Sequence, residues 1–392
     1  AQAFRWLRLS GAGSFDTGHG QPVGGRPSRC RPPCRRRQPV DTPSLAHTFT
    51  GAAAKSRTMG AAQSAPRGEH RGSPRWARIA CFYGLACSGS ALGALAVLFS
   101  KSPAAKVFFA AGTMFTPLMA AAAVQLCLGE PILEAIGARR GRTCGRWGVA
   151  AALTPPALAG ATVVASLALP GVRWSPGEAL LERVVAAGGG ADAEASLRAM
   201  AAMPPLRLVL TLLAKAVLVG GTVNALPSFG EEAGWRGWLL GELSPLGFWP
   251  ASFLSGAMWG LWHAPLVLQG HNFPEHPVAG AAMMTAFCTL LSPCLTLLRW
   301  KSCSVWPAAV FHGVFNGSPH GIYFLCGGTD LTVGPCGLTG LAILGCVDAA
   351  IACRYGGGVS PAPDDVPLAQ GKPAMGSAGG RGALFDDRSA GS

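Results

Sequence analysis

Charge is what this chain of 392 residues has least of. Only 13% of its residues are charged, whereas 49% are hydrophobic, and the mean hydropathy is +0.33. An ordinary soluble domain carries charge on about a quarter of its residues. The shortage of charge therefore excludes an ordinary water-soluble domain and indicates a protein embedded in a membrane.

Two common catalytic or metal-binding patterns are also absent. The 13 cysteines include no C-x-x-C pair, and no G-x-S-x-G segment occurs in the chain. The first absence removes the usual zinc and dithiol frameworks, so the cysteines are expected to be small packing residues. The second disfavours an acyl-enzyme mechanism. A disulfide between Cys326 and Cys336, which flank a predicted non-cytosolic loop, is left open.

The charges that do occur are unbalanced, with 32 Lys and Arg against 19 Asp and Glu and a net charge of +13. Such an excess is also seen in proteins that bind nucleic acid. Here, however, the arginines lie mainly in the N-terminal tail and in short loops between apolar runs, where membrane topology places them. We therefore expect a lipid bilayer, and no nucleic acid, as a partner.

Both ends of the chain are polar and low in complexity. Residues 1–75 are rich in Gly, Pro, Ser and Arg, and residues 355–392 are rich in Gly. Neither segment has the apolar periodicity needed to bury a core, so both are predicted to be disordered tails, the first of them basic. Residues 59–64 fit an N-myristoylation pattern if translation begins at Met59, with chance occurrence as the alternative.

Between the tails, residues 76–354 alternate apolar runs of about 20 residues with short polar links, and a helix of that length crosses a ~30 Å hydrocarbon core. The runs are continuous and lack the alternation of a barrel strand. The sequence therefore predicts an all-α, polytopic membrane protein with about eight transmembrane helices that enclose an intramembrane catalytic cavity. The predicted spans are residues 79–100, 107–128, 147–169, 206–226, 249–268, 278–298, 305–325 and 331–352.

Basic residues at the span ends set the predicted orientation. Arginines precede the first span and fill the link after the second, and further basic residues follow the sixth and the eighth. Because positive charge is retained on the cytosolic side, these ends are assigned to the cytosol. The protein is thus predicted to be an integral, multi-pass membrane protein with both tails cytosolic.

The first polar cluster in the C-terminal half consists of Glu231, Glu232 and Arg236, set among large apolar residues. On a helix, Glu232 and Arg236 are four residues apart and share a face, while Glu231 points elsewhere. Ionisable groups at membrane depth are costly, and they are usually paired and functional. The alternative is a solvated interfacial helix that merely carries charges.

Two further clusters each place a histidine inside an apolar helix. His263 lies in the fifth predicted span, and His312 lies in the seventh with Asn316 one helical turn further along the same face. Counted from the cytosolic span ends at 1.5 Å per residue, the two histidines lie about 21 Å and about 10 Å deep. A single histidine in a helix is commonly bonded to a nearby carbonyl, but two of them beside an amide favour a shared site.

Together the three clusters supply what peptide hydrolysis needs, namely a base to activate water and donors to hold an oxyanion. A non-catalytic transporter or scaffold protein is the alternative, in which the same charges line a permeation path or hold helices together. Glu231 discriminates between the two, because a scaffold needs the pair of Glu232 and Arg236 but not a second, unpaired carboxylate.

The order and spacing of these motifs resemble a known family. The chain reads Glu-Glu-x-x-x-Arg at 231–236, an aromatic-x-x-x-His at Trp259 and His263, and His-x-x-x-Asn at His312 and Asn316. This pattern is similar to that of the CAAX-processing and bacteriocin-processing (CPBP) intramembrane proteases, which include the type II CAAX prenyl endopeptidases. The resemblance covers a protease-like core at about residues 206–325. One departure is Trp259, where the family usually has phenylalanine.

The resemblance implies an intramembrane endopeptidase that cleaves membrane-associated protein or peptide substrates, in particular prenylated CAAX proteins at their C-termini. By the family's pattern, Glu231 would activate the attacking water. His263 and His312 would orient that water or stabilise the oxyanion, and Asn316 would complete the oxyanion site. The remaining members of the first motif, Glu232 and Arg236, would be structural.

Members of that family have been described both as glutamic proteases and as metalloproteases. The expected cofactor is therefore none, or else a zinc ion held by Glu231, His263 and His312. The polar loop of His271, Glu275 and His276 is predicted to be a solvated turn, because Pro274 and Pro277 lie beside it, with metal binding as the alternative.

Overall fold

The computed structural model describes residues 73–138, 144–187, 191–318, 323–356 and 359, all of which belong to one compact unit. Almost all of the two predicted tails, 1–75 and 355–392, lies outside the described residues, as does the segment that begins at Met59. The predictions made for those segments therefore stay predictions.

The described part of the chain is almost entirely helical, which confirms the predicted all-α class. Two strands of two residues each, β1 and β2, pair antiparallel. In chain order the elements are α1 (Trp76–Phe99), α2 (Pro103–Thr113), α3 (Thr116–Leu128), α4 (Ile132–Ala135), α5 (Cys144–Ser166), β1 (Arg173–Trp174), α6 (Pro176–Ala187), α7 (Ala191–Ala201), α8 (Pro205–Leu246), α9 (Phe248–Trp262), α10 (Ala264–Val267), α11 (Pro277–Ser302), α12 (Trp306–Gly317), β2 (Leu325–Cys326) and α13 (Leu338–Tyr355).

Five of the described helices are long and apolar enough to cross a membrane, namely α1, α5, α8, α11 and α13. The number rises to six if α2 and α3, which meet at a bend of 41°, form one span. The predicted count of eight is therefore not confirmed. The difference lies in the fifth and seventh predicted spans, which carry the two histidines.

The helices at these two positions are too short to span a bilayer alone. With 15 and 12 residues, α9 and α12 extend for about 23 Å and 18 Å, less than a ~30 Å hydrocarbon core. A new short helix, α10, follows α9 with Pro265 in its first turn, where a proline is tolerated. In contrast, α8 is one helix of 42 residues that joins the fourth predicted span to the glutamate motif.

Glycines allow the helices with the polar motifs to approach one another closely. A Cβ at Gly256 on α9 would lie 2.6 Å from the carbonyl oxygen of Cys288 on α11, and Gly260 lies equally close to α11. A Cβ at Gly220 on α8 would lie 2.9 Å from the carbonyl oxygen of Gly313 on α12. Small residues at such spacing are typical of helix contacts inside membranes. We call these two contacts the glycine seams, and they fix where α9 and α12 present their side chains.

Loops that were predicted on the non-cytosolic side meet at one end of the helices. The strand β1 pairs with β2, and Asp330 accepts hydrogen bonds from the backbone N–H groups of Glu275 (2.8 Å) and His276 (3.3 Å). The His276 Nδ1 atom lies 2.6 Å from Asp330 Oδ1. Asp330 thereby ties the loop before α11 to the loop before α13.

Segments predicted on the cytosolic side meet at the other end. Arg78 near the start of α1 contacts Glu130 at 2.9 Å, and Arg75 forms a bidentate ion pair with Glu242 near the end of α8. Segments that were predicted on the same side of the membrane are therefore in contact. Which side is the cytosolic one stays a prediction.

Candidate active site

The glutamate motif lies in α8, where a π-helical segment, Ala233–Leu239, begins directly after Glu232. Glu231, Glu232 and Arg236 are 2%, 0% and 1% exposed, so all three charged side chains are inside the protein. The Glu232 Oε1 atom accepts a hydrogen bond from Arg236 Nη1 at 3.2 Å and lies 2.8 Å from Nδ1 of His312. Glu232 therefore joins α8 to α12.

The neighbouring carboxylate has a different partner. Glu231 Oε2 accepts a hydrogen bond of 2.7 Å from the indole Nε1–H of Trp259 on α9. The two adjacent glutamates thus face different helices, as the helical spacing predicts. Glu231 lies within electrostatic range of His312 and Arg236, yet its hydrogen bond comes from a neutral group.

The buried Arg236 cation has three kinds of contact. Besides the ion pair with Glu232, its Nη2 donates a 2.7 Å hydrogen bond to Oγ of Ser292 on α11. Its guanidinium carbon lies 4.1 Å from the ring centroid of Trp259. A buried charge needs this kind of compensation, because removing it from water is expensive.

His263 lies at the C-terminal end of α9 and its Nδ1 is 2.9 Å from the backbone carbonyl oxygen of Trp259. Because a carbonyl only accepts, Nδ1 carries the proton, and in the neutral imidazole Nε2 is then an acceptor. The ring centroid of Trp259 is 5.5 Å from that of His263 and also 5.5 Å from that of His312. Trp259 thus contacts both histidines, although they come from separate short helices.

Asn316 differs from the other predicted site residues in its exposure. It follows His312 by one turn near the end of α12, and its side chain is exposed, whereas His312 is only 7% exposed. The structure therefore brings Glu231, His263 and His312 together around Trp259 and places Asn316 at the edge. His263 is half-buried and Asn316 is exposed, so the group is partly open to its surroundings at these two residues.

Several polar residues of the site were not found from the sequence. Ser292 binds Arg236, and the Sγ of Cys288 lies 3.9 Å from His263 Nδ1. Both come from α11, and nothing in their spacing links them to motifs on other helices. On α8, Ser228 Oγ and Asn224 Oδ1 are buried without a hydrogen-bond partner in the described part of the chain. Ser228 and Asn224 lie four and eight residues before Glu232. On a helix this spacing places them near the same face as Glu232, which could have identified them.

The three residues predicted as an alternative zinc set do not have the spacing of a metal site. Within the described residues, the ligand atoms of two other groups come within 4.8 Å of one another, but those of Glu231, His263 and His312 do not. The two groups are Glu178 with Glu182 and Cys326, and Glu275 with His276 and Asp330. In the second, Asp330 already accepts hydrogen bonds from the backbone, which favours the predicted turn.

One small pocket between the described helices lies away from the glutamates and histidines. It is apolar, and Leu158, Phe287, Phe315 and Leu344 from four different helices are among its lining residues. The glutamates and histidines do not line it. A water-filled cavity at the polar group stays a prediction.

The apolar helices define this protein as an integral multi-pass membrane protein. A cluster of acidic and histidine side chains is buried between these helices. The model of the family described as type II CAAX prenyl endopeptidase Rce1-like matches residues 209–318. This range contains all three motifs and lies inside the predicted core of 206–325, so the match confirms the CPBP resemblance. The family implies a protease of the CAAX type that acts within the membrane. A search of curated proteins found no match.

Proposed function

We propose that this chain is an intramembrane endopeptidase that hydrolyses membrane-associated protein or peptide substrates, prenylated CAAX proteins among them, with water activated by Glu231. The observation that supports this most is that the two adjacent carboxylates have different hydrogen-bond partners. Glu232 is held by Arg236 and His312, whereas Glu231 accepts one hydrogen bond from a neutral indole. A scaffold would need only the first arrangement.

In the proposed reaction, Glu231 takes a proton from a water molecule as the water oxygen attacks the carbonyl carbon of the scissile peptide bond. The carbonyl oxygen becomes an oxyanion. As the C–N bond breaks, Glu231 returns the proton to the leaving amine nitrogen, so the carboxylate is regenerated.

The two histidines have different roles in this scheme. His263 holds its Nδ1–H on the carbonyl of Trp259, so Nε2 can accept a hydrogen bond from the water and orient it. His312 has Nδ1 on the carboxylate of Glu232, and in its protonated form Nε2–H is a donor for the oxyanion. Asn316 would add an amide N–H from the exposed edge. Donors fixed in advance are effective because they do not reorganise during the reaction.

Cleavage of a farnesylated CAAX peptide by the detergent-purified protein tests this proposal. We expect wild type to cleave it and His312→Ala to be slower by at least about 100-fold, because a developing oxyanion loses a donor. Glu178→Gln is the control, since Glu178 is exposed on α6 and pairs with Arg173. A matched peptide without the prenyl group, and a second one that spans a membrane, define the substrate class.

If the wild type folds but cleaves none of the three peptides, the protease proposal is wrong and the transporter or scaffold alternative gains. Cleavage of the spanning peptide alone would retain the protease and remove the prenylated substrate.

A strong zinc chelator is expected to change the cleavage rate by less than about twofold, because in the proposed reaction a carboxylate, not a metal ion, activates the water. The measurement is the initial rate before and after prolonged dialysis against the chelator. Loss of activity that zinc restores would contradict the glutamate mechanism and require Glu231, His263 and His312 to rearrange around a metal.

A further inference from the structure

Among the described residues of the site, Trp259 contacts four of the charged or imidazole side chains that were predicted to matter, namely Glu231, Arg236, His263 and His312. Its indole N–H binds Glu231, and its ring lies under the guanidinium of Arg236. The ring edge meets both histidines, and its carbonyl oxygen accepts from His263. Trp259 itself is 2% exposed.

We propose that Trp259 is a positioning residue for the proposed base, and that its indole N–H selects which oxygen of Glu231 reacts with water. This inference rests on the proposed function. The N–H occupies Oε2 at 2.7 Å, and Oε1 is then the oxygen that receives the water proton. The family that this chain resembles usually has phenylalanine at this position. Its ring occupies the same place but carries no hydrogen-bond donor.

The physical basis is the freedom of a buried carboxylate. With neither oxygen bonded, the Glu231 side chain can rotate about its last torsion, and the reactive oxygen loses a fixed direction. A charge-assisted hydrogen bond holds the group in one orientation. Catalysis is sensitive to such orientation, since small displacements of a reacting group cost large factors in rate.

The second carboxylate of the motif needs no such help, because Glu232 has two bonds to charged or ionisable partners. The orientation of each glutamate side chain is therefore fixed by a different interaction. An ion pair orders Glu232, and a neutral donor orders Glu231 without adding a positive charge that would weaken a base.

The test is Trp259→Phe, assayed on a peptide that the wild type cleaves. We expect kcat to fall by about 10-fold with KM changed by less than about twofold, because an aromatic ring remains at this position while the hydrogen bond that orients Glu231 is lost. The matched control is Trp238→Phe. Trp238 is also 2% exposed, donates a buried 2.9 Å hydrogen bond to Gln125 and stacks on Phe82, and neither partner belongs to the site. Its loss is expected to leave kcat unchanged.

A double-mutant cycle separates positioning from general damage. In a Glu231→Gln background, Trp259→Phe is expected to have no further effect on the residual rate, because its action passes through that side chain. If Trp259→Phe does not fold, Trp259→Met replaces it, since methionine has no hydrogen-bond donor. Unchanged kcat in a folded variant, or equal losses in both backgrounds, overturns this inference alone. No cleavage by folded wild type overturns the proposed function with it.

Discussion

Glu231→Gln is expected to lower kcat for peptide cleavage by at least about 1,000-fold, because it removes the group proposed to take a proton from water. Glutamine keeps the volume of the side chain, and its amide oxygen can still accept from Trp259, so the variant should remain folded. Initial rates on the substrate that wild type cleaves, together with gel filtration and thermal unfolding of both proteins, measure the effect.

The matched comparison is Glu232→Gln, the same chemical change one residue away. That change leaves the Arg236 cation inside the protein without its carboxylate, so its main effect should be on stability. The two roles would have to be exchanged if Glu231→Gln kept its activity while a folded Glu232→Gln protein lost it. If both variants lost the same amount of stability, both carboxylates would have a structural role and neither would be assigned as the base.

Arg236→Met is expected to lower the free energy of unfolding by about 3–5 kcal/mol, the usual cost of leaving one partner of a buried ion pair without the other. Glu232 would then keep only His312, and Ser292 would lose its hydrogen bond from Arg236. Unfolding in a detergent titration, followed by circular dichroism, measures the loss. The double variant Arg236→Met with Glu232→Gln should recover part of it, because both charges are gone.

Arg354→Met is the control for this change, since Arg354 is an exposed arginine at the end of α13. Its effect should stay within about 0.5 kcal/mol, as for most surface substitutions. An Arg236→Met protein as stable as wild type would show that the buried ion pair contributes nothing net to this fold.

Much of the fold was accessible from the sequence because its signals are local. The length of the apolar runs predicted helices that cross the bilayer, and the i,i+4 spacing placed Glu232 beside Arg236 while Glu231 pointed elsewhere. The number of spans was not accessible in this way. Apolar windows around His263 and His312 look like full spans, whereas α9 and α12 stop after 15 and 12 residues.

Contacts between helices were the other limit. The depths counted along the sequence put the two histidines about 11 Å apart along the membrane normal, at 1.5 Å per residue. In the structure both rings pack against Trp259 at centroid distances of 5.5 Å. Counting residues within each span says nothing about how two spans are offset, so it could not predict that both imidazole rings pack against one indole. The contributions of Ser292 and Cys288 were hidden for a related reason, since α11 carries no motif of its own.

The glycine seams make the surrounding bilayer a part of the catalytic geometry. Inside a membrane, water exclusion does not press helices together, so the seams are held by van der Waals contact and by the helices' other bonds. The seams set the spacing of α8 from α12 and of α9 from α11, and with it the distances from Glu232 to His312 and from His263 to Cys288. Lipids that match the hydrophobic thickness of these helices poorly strain such contacts. We therefore expect the acyl-chain length of the surrounding lipid to change the rate of the proposed reaction through these glycine contacts.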